Sequence, residues 1–217
     1  IGNPVTGIAC LAQNLREERE DDDEVAELSS QIIDQTKRIS RIVQSLMNFA
    51  HAGAQQRAEY PVSLAAVAQD AISLLSLNRN ATEVQFFNLC DPDHLAKGDP
   101  QRLAQVLINL LSNARDASPT GGVIRVSSEV TEQSVQLIVE DEGSGIPRAI
   151  MDRLFEPFFT TKDPGKGTGL GLALVYSIVE EHYGQIIIDS PADPERQLGT
   201  RFRVTLPRYI EATSVAT

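Results

Sequence analysis

The sequence predicts an α+β fold in two parts. An N-terminal helical hairpin pairs with a second copy as a dimeric four-helix bundle, and an α/β sandwich follows, with helices layered on one mixed sheet. Three observations predict this. Two series of apolar residues repeat at about 3.5 residues on either side of an acidic run. The period then disappears in a short polar stretch. Beyond that stretch, strand-like segments run in series beside separate helical ones.

The first series is Ile1, Val5, Ile8, Ala12 and Leu15, and the second is Val25, Leu28, Ile32, Gln35, Ile39, Ile42, Leu46 and Phe49. The run Glu17-Glu-Arg-Glu-Asp-Asp-Asp-Glu24 between them is too charged to bury and reads as the solvated tip of the hairpin. Pro4 bends the first helix or sits in its first turn. Two helices bury little by themselves, so a second copy is expected to complete the bundle as a homodimer. The hairpin is assigned residues 1–52, a linker 53–60 and the second domain 61–210.

In the second domain, Ser63 caps a helix that runs to about Leu77, and 83–89 alternates as a strand. Asp99-Pro100 opens a strong helix, with the aspartate as cap and Leu103, Val106, Leu107, Leu110 and Leu111 on its buried face. Gly121-Gly122 leads into strands over 123–130 and 135–140, joined by a hairpin around 131–134. A short helix is expected over 150–155, a helix from Leu170 to Val179, and strands over 185–190 and 200–206.

Composition narrows the function. Apolar residues make up 41% and charged residues 23% of the 217, as in an ordinary soluble globular protein. A net charge of −11 argues against nucleic acid, whose phosphates recruit basic surfaces. No run approaches the ~20 apolar residues of a membrane span, and the start does not resemble a signal peptide. A cytoplasmic location is expected, without membrane contact by this segment. Cys10 and Cys90 read as small buried apolar groups in a reducing setting.

Four clusters carry chemistry. In Gly165-Lys-Gly-Thr-Gly-Leu-Gly-Leu172, alternate glycines Gly167, Gly169 and Gly171 free the backbone so that amide groups can converge on one anion, and the next helix turns its positive end the same way. Asn109 and Asn113 share a helix face, with Asp116 three residues on, and amide oxygens suit a hard cation. Asp141 ends an apolar strand before Gly143 and Gly145. Its carboxylate can accept from an exocyclic amine while the glycines admit a flat ring. Phe155-Glu-Pro-Phe-Phe-Thr-Thr-Lys162 leads into a hinge-like segment and reads as a closing lid. Taken singly, each has a plainer reading as surface loop, capping amide, tight turn or solvated lysine.

Together, Asn109-x-x-x-Asn113, Asp141-x-Gly143-x-Gly145, Phe155-Glu-Pro-Phe-Phe, Gly167-x-Gly169-x-Gly171 and Gly199-Thr200 resemble, in order and spacing, the ATP-binding domain of bacterial sensor histidine kinases. That domain belongs to a wider group with gyrase, the Hsp90 chaperones and the MutL repair proteins. The resemblance covers residues 1–207, and Asn113-Ala-Arg-Asp-Ala117 with Phe158-Phe-Thr-Thr-Lys162 is similar to the nitrogen-sensor type.

The resemblance implies ATP and Mg2+ as cofactors. It implies Asn113 as metal ligand assisted by Asn109, and Asp141 as partner of the adenine amino group. Ile146 and Leu172 line the purine pocket, and Thr200 supports adenine through water. Gly167, Thr168, Gly169, Leu170 and Gly171 form a lid that embraces the phosphates with Lys162. Asp116 stands where many relatives carry lysine, so it is expected to order water or metal instead.

The family also pairs this domain with a dimerising hairpin that bears the phosphorylated histidine within His-Glu-Ile-x-Asn-Pro. This sequence opens at Ile1-Gly-Asn3-Pro4, so the acceptor is expected two residues upstream, and Asn3 matches a position that assists dephosphorylation of a partner response regulator. His51, His94 and His182 lie outside that context and receive no catalytic role. The expected activity is transfer of the γ-phosphoryl group of ATP to a histidine and then to a regulator aspartate. The 217 residues are expected to bind nucleotide without becoming labelled. An ATPase of the same superfamily that drives conformational change, or a non-catalytic dimerisation scaffold, are the alternative readings.

Overall fold

The computed structural model describes residues 2–18, 23–50, 60–77, 84–163, 167–195 and 198–210. The chain forms two compact units, one of Ile1–Ala54 with Phe158–Leu170 and one of Gln55–Pro157 with Gly171–Thr217.

In the first unit, helices α1 (Gly2–Glu18) and α2 (Asp23–Ala50) pack on each other, with Pro4 in the first turn of α1. The acidic run lengthens both helices, since Glu17, Glu18, Asp23 and Glu24 are helical, and 19–22 lie outside the described residues. The seam differs from the predicted one. Ala12, Ser29, Ile33 and Thr36 are buried, whereas Ile8, Leu11, Leu15, Leu28, Ile32 and Ile39 are exposed. Small side chains and hydroxyls let the helices approach, and Thr36 Oγ1 finds its acceptor in the Ile33 carbonyl at 2.8 Å. Cys10 is also exposed, against expectation, because two residues rotate it about 200° around the helix from buried Ala12.

The second unit begins with β1 (Tyr60–Ser63), so Tyr60 belongs to a strand rather than to the predicted linker; 51–59 lie outside the described residues. Helix α3 (Leu64–Ser76) starts at Ser63, whose hydroxyl accepts from the Ala66 amide. Strands β2 (Gln85–Leu89) and β3 (Leu95–Gly98) precede α4 (Pro100–Ala117), capped as predicted by Asp99 through the Gln101 and Arg102 amides. Then come β4 (Val123–Val130), β5 (Ser134–Asp141), a 3-10 turn over Arg148–Arg153 in place of the helix expected at 150–155, α5 (Gly171–Glu181), β6 (Gln185–Asp189) and β7 (Thr200–Pro207).

The main sheet has the order β2-β4-β5-β7-β6 and is mixed, because β2 runs parallel to β4 while the other pairs are antiparallel. β1 and β3 make a separate antiparallel pair, which the sequence did not announce. Alternate residues of the sheet, including Ile124, Val126, Val135, Leu137, Val139, Phe202 and Val204, pack with α3, α4 and α5 in one core. The four leucines and one valine predicted on the buried face of α4 are all within it. The opposite alternation carries ion pairs, with Arg201 Nε donating to Glu140 at 2.6 Å and Arg203 bound to Asp189.

Candidate functional site

The pairing of β5 with β7 sets Asp141 opposite Thr200 at the end of the sheet. Asp141 is 4% exposed, and its Oδ1 accepts from the Gly143 amide at 2.8 Å and the Thr200 amide at 3.1 Å. Among the described residues Oδ2 has no donor, so it remains an acceptor for a ligand amine. Burial raises the Asp141 pKa, the two amide bonds pull it down, and the Glu140 charge raises it further.

Gly143 is required by close approach to α4, since a Cβ there would lie 2.7 Å from the Ala117 carbonyl oxygen. Gly199 is equally tight, with its missing Cβ 2.4 Å from the Asp141 oxygen at φ +80°. Ser190 links both segments: its hydroxyl accepts from the Ile146 amide at 2.7 Å and donates to the Gly199 carbonyl at 3.1 Å. The Gly199 amide donates to the Gly143 carbonyl at 2.8 Å. Asp141, Gly143, Gly145, Ile146 and Thr200 are therefore brought together, with Ser190 as an organiser that sequence reasoning missed. Only the Ser-Pro step at 190–191 marked it as a turn.

On α4, Asn109 Nδ2 donates to the Gln105 carbonyl at 2.8 Å, which leaves Oδ1 as the outward acceptor. That oxygen faces the start of α5, where a Cβ on Gly171 would lie 2.9 Å from it. Asn113 is half-buried one turn further on, and Asp116 is exposed with its carboxylate 3.7 Å from Arg115 Nε. Leu172 is half-buried in the first turn of α5. No group of three His, Cys, Asp or Glu among the described residues can hold a metal. A hard cation would therefore rely on amide and ligand oxygens.

The glycine segment closes on itself. The Phe158 amide donates to the Gly169 carbonyl at 2.8 Å, and Gly169 takes φ +66° with its missing Cβ 2.3 Å from the Phe158 backbone. The Gly167 position leaves room for Thr160 Oγ1, which also accepts from the backbone amide of half-buried Lys162 at 3.2 Å. The Leu170 amide donates to Thr168 Oγ1 at 3.4 Å. Residues 164–166 lie outside the described residues, as do His51 and the side chain of Asn3. His94 Nδ1 is 2.9 Å from Ser128 Oγ.

Residues 98–210 match the family model of histidine kinase-, DNA gyrase B-, and HSP90-like ATPases, and residues 1–55 match that of the His Kinase A (phospho-acceptor) domain. The chain is 33% identical over 209 residues to Sporulation kinase A of Bacillus subtilis (strain 168), covering 96% of this chain and 33% of that protein. It is 34% identical over 208 residues to Sensor histidine kinase ZraS of Escherichia coli (strain K12), covering 95% of this chain and 43% of that one. It thus spans less than half the length of these relatives. Among solved structures, the mycobacterial sensor histidine kinase MprB aligns at TM-score 0.61 with 30% identity, over 69% of this chain and 97% of that one. Histidine kinase ThkA, solved in complex with response regulator protein TrrA, shares the fold at TM-score 0.68 and 24% identity, over 95% of this chain and 58% of that one. No helix among the described residues is long and apolar enough to cross a membrane. With both halves matched in order, the chain belongs to the histidine kinase-, DNA gyrase B- and HSP90-like ATPase family, as a bacterial histidine kinase transmitter core.

Proposed function

We propose that the chain is the dimerising and ATP-binding core of a sensor histidine kinase in a two-component system. Residues 1–52 form the dimerisation hairpin and 53–59 the linker, and the catalytic domain starts with β1 at Tyr60 and runs to 210. The observation that carries the nucleotide reading is the Asp141 carboxylate, held by two backbone amides through one oxygen with the other left to accept from the adenine amino group. Guanine presents an oxygen where adenine presents that amine, so the same carboxylate rejects it.

Ile146 and Leu172 flank the purine, and Thr200 supports it through water. Asn113, assisted by Asn109 Oδ1, would hold Mg2+, and the donor set fits because the Asn109 amide has its nitrogen already engaged. When bound, the cation neutralises phosphate charge. The amides of Gly167–Gly171 and the Lys162 ammonium serve the same phosphates, while Asp116 orders water or metal. The γ-phosphoryl group passes from ATP to a histidine nitrogen, leaving ADP, and from there to an aspartate of a response regulator. The residues act mainly by positioning and charge neutralisation. Asn3 helps position water for hydrolysis of the aspartyl phosphate on the regulator, which releases inorganic phosphate. The exposed apolar face of the hairpin supports a second copy as partner, and the source of ATP places the core in the cytoplasm.

Equilibrium binding tests this. The chain is expected to bind ATP in preference to GTP, and Asp141→Asn to weaken ATP by about 10- to 100-fold, the cost of stranding a buried charge-assisted hydrogen bond. Equal affinity for the two nucleotides, or an Asn variant that binds ATP like the parent, would overturn the reading.

A further inference from the structure

We infer that His182 is a positioning residue that sets the height of Asn109 against the start of α5, an inference that rests on the ATP reading above. His182 follows the last residue of α5. Its Nδ1 lies 2.7 Å from the Ile178 carbonyl oxygen and its Nε2 lies 3.0 Å from the backbone nitrogen of Asp99. A carbonyl only accepts and a backbone N–H only donates, so Nδ1 carries the proton and Nε2 is the bare acceptor. Both ring nitrogens are thereby committed.

The Asp99 end is equally specific. Its carboxylate caps α4 through the Gln101 and Arg102 amides at 2.8 and 3.2 Å, while its own N–H lies outside the helix and needs a partner elsewhere. His182 is that partner. The ring can reach it only because residue 98 is glycine: a Cβ there would sit 2.5 Å from His182 Cδ2. Beside this tie, Arg102 Nη2 donates to Glu181 Oε2 at 2.6 Å, so the first turn of α4 and the last turn of α5 are pinned twice.

The pin acts at a distance through two rigid rods. Asp99 and Asn109 are ten positions apart and Gly171 and His182 eleven, so at about 1.5 Å per residue the arms are about 15 and 16.5 Å long. The tie at one end and the approach of Asn109 Oδ1 to Gly171 at the other are matched ends of one antiparallel helix pair. Between them Leu103, Val106, Leu107, Val175 and Ile178 are fully buried, so each helix slides along the other as a rod rather than bending. A slip of one residue at the tie displaces Asn109 by about 1.5 Å against the helix terminus where phosphate and cation meet.

Three variants separate this role from simple support of α5. In His182→Asn the amide reproduces the Nδ1 donor to Ile178 but falls short of Asp99. In His182→Gln the side-chain oxygen reaches the Nε2 position. Gly98→Ala pushes the native ring away. Affinities for Mg-ATP and for adenosine, read by displacement of a fluorescent nucleotide, are compared with thermal melts. His182→Asn and Gly98→Ala are each expected to weaken Mg-ATP by about tenfold with adenosine unchanged, and His182→Gln to return within about twofold of the parent. If His182→Asn lacks a cooperative melt, Gly98→Ala carries the comparison. Mg-ATP binding by His182→Asn or Gly98→Ala equal to the parent's, or equal loss for adenosine and Mg-ATP, overturns the positioning role. A parent chain that binds no ATP overturns the nucleotide reading itself.

Discussion

Asp141 holds its proton to a higher pH in the folded chain than in the unfolded one, because the push of burial outweighs the pull of the Gly143 and Thr200 amides. The sign of two effects follows. As pH rises from about 3.9, the ordinary aspartate value, through the folded value, the native state is progressively penalised, so the stability of the parent relative to Asp141→Asn falls across that window. Urea midpoints for the two proteins at a series of pH values measure it. For the ligand the direction is opposite: acidification protonates the acceptor, so ATP affinity declines starting above the usual carboxylate range, while the Asn variant shows a flat profile there. A parent profile as flat as the variant's would sink both expectations. Asp141 was legible because a carboxylate ending an apolar strand before Gly-x-Gly is a local pattern. Ser190 and His182 were not, because their partners Ile146 and Asp99 lie 44 and 83 residues away.

At the level of elements, α4 is where sequence and structure agree most closely. Asp99 caps it, Pro100 occupies the first turn, and the predicted apolar stripe is fully buried. Asp99→Ala is expected to cost about 1 kcal/mol in chemical denaturation, since two amides lose their acceptor while the backbone N–H that reaches His182 is retained. No change in the denaturation midpoint would show the cap to be redundant. The hairpin was legible only in part. Its helical period was plain, but Ser29 and Thr36 occupy the buried seam and hydropathy does not mark them. The four-residue strands β1 and β3 were missed because they are too short for alternation to register, and Pro61 argued against a strand.

At the scale of the whole molecule, the hairpin carries a stripe of exposed apolar side chains. Leu11 is 71% and Leu28 51% exposed, flanked by Ile8, Leu15, Ile32 and Ile39. Burying such a face in a second copy is the driving force for the dimer. Leu28→Glu is expected to convert a dimer to a monomer in sedimentation velocity with ATP affinity unchanged, because the nucleotide-binding unit has a core of its own. A parent chain that sediments as a monomer would remove the basis for the hairpin's dimer role.

By itself the sequence determined the order of the longer elements, the α4 cap and core, and the residue types proposed to meet a nucleotide, since each depends on neighbours within a few positions along the chain. Only the tertiary structure decided which helix face is spent inside the hairpin and which stays exposed. It also decided that Gly143 answers to α4, that one oxygen of Asp141 is occupied by the backbone, that Ser190 ties Ile146 to Gly199, and that His182 ties the end of α5 to Asp99. Those are contacts between segments far apart in sequence, where backbone amides and missing Cβ atoms set the geometry without leaving a pattern to read.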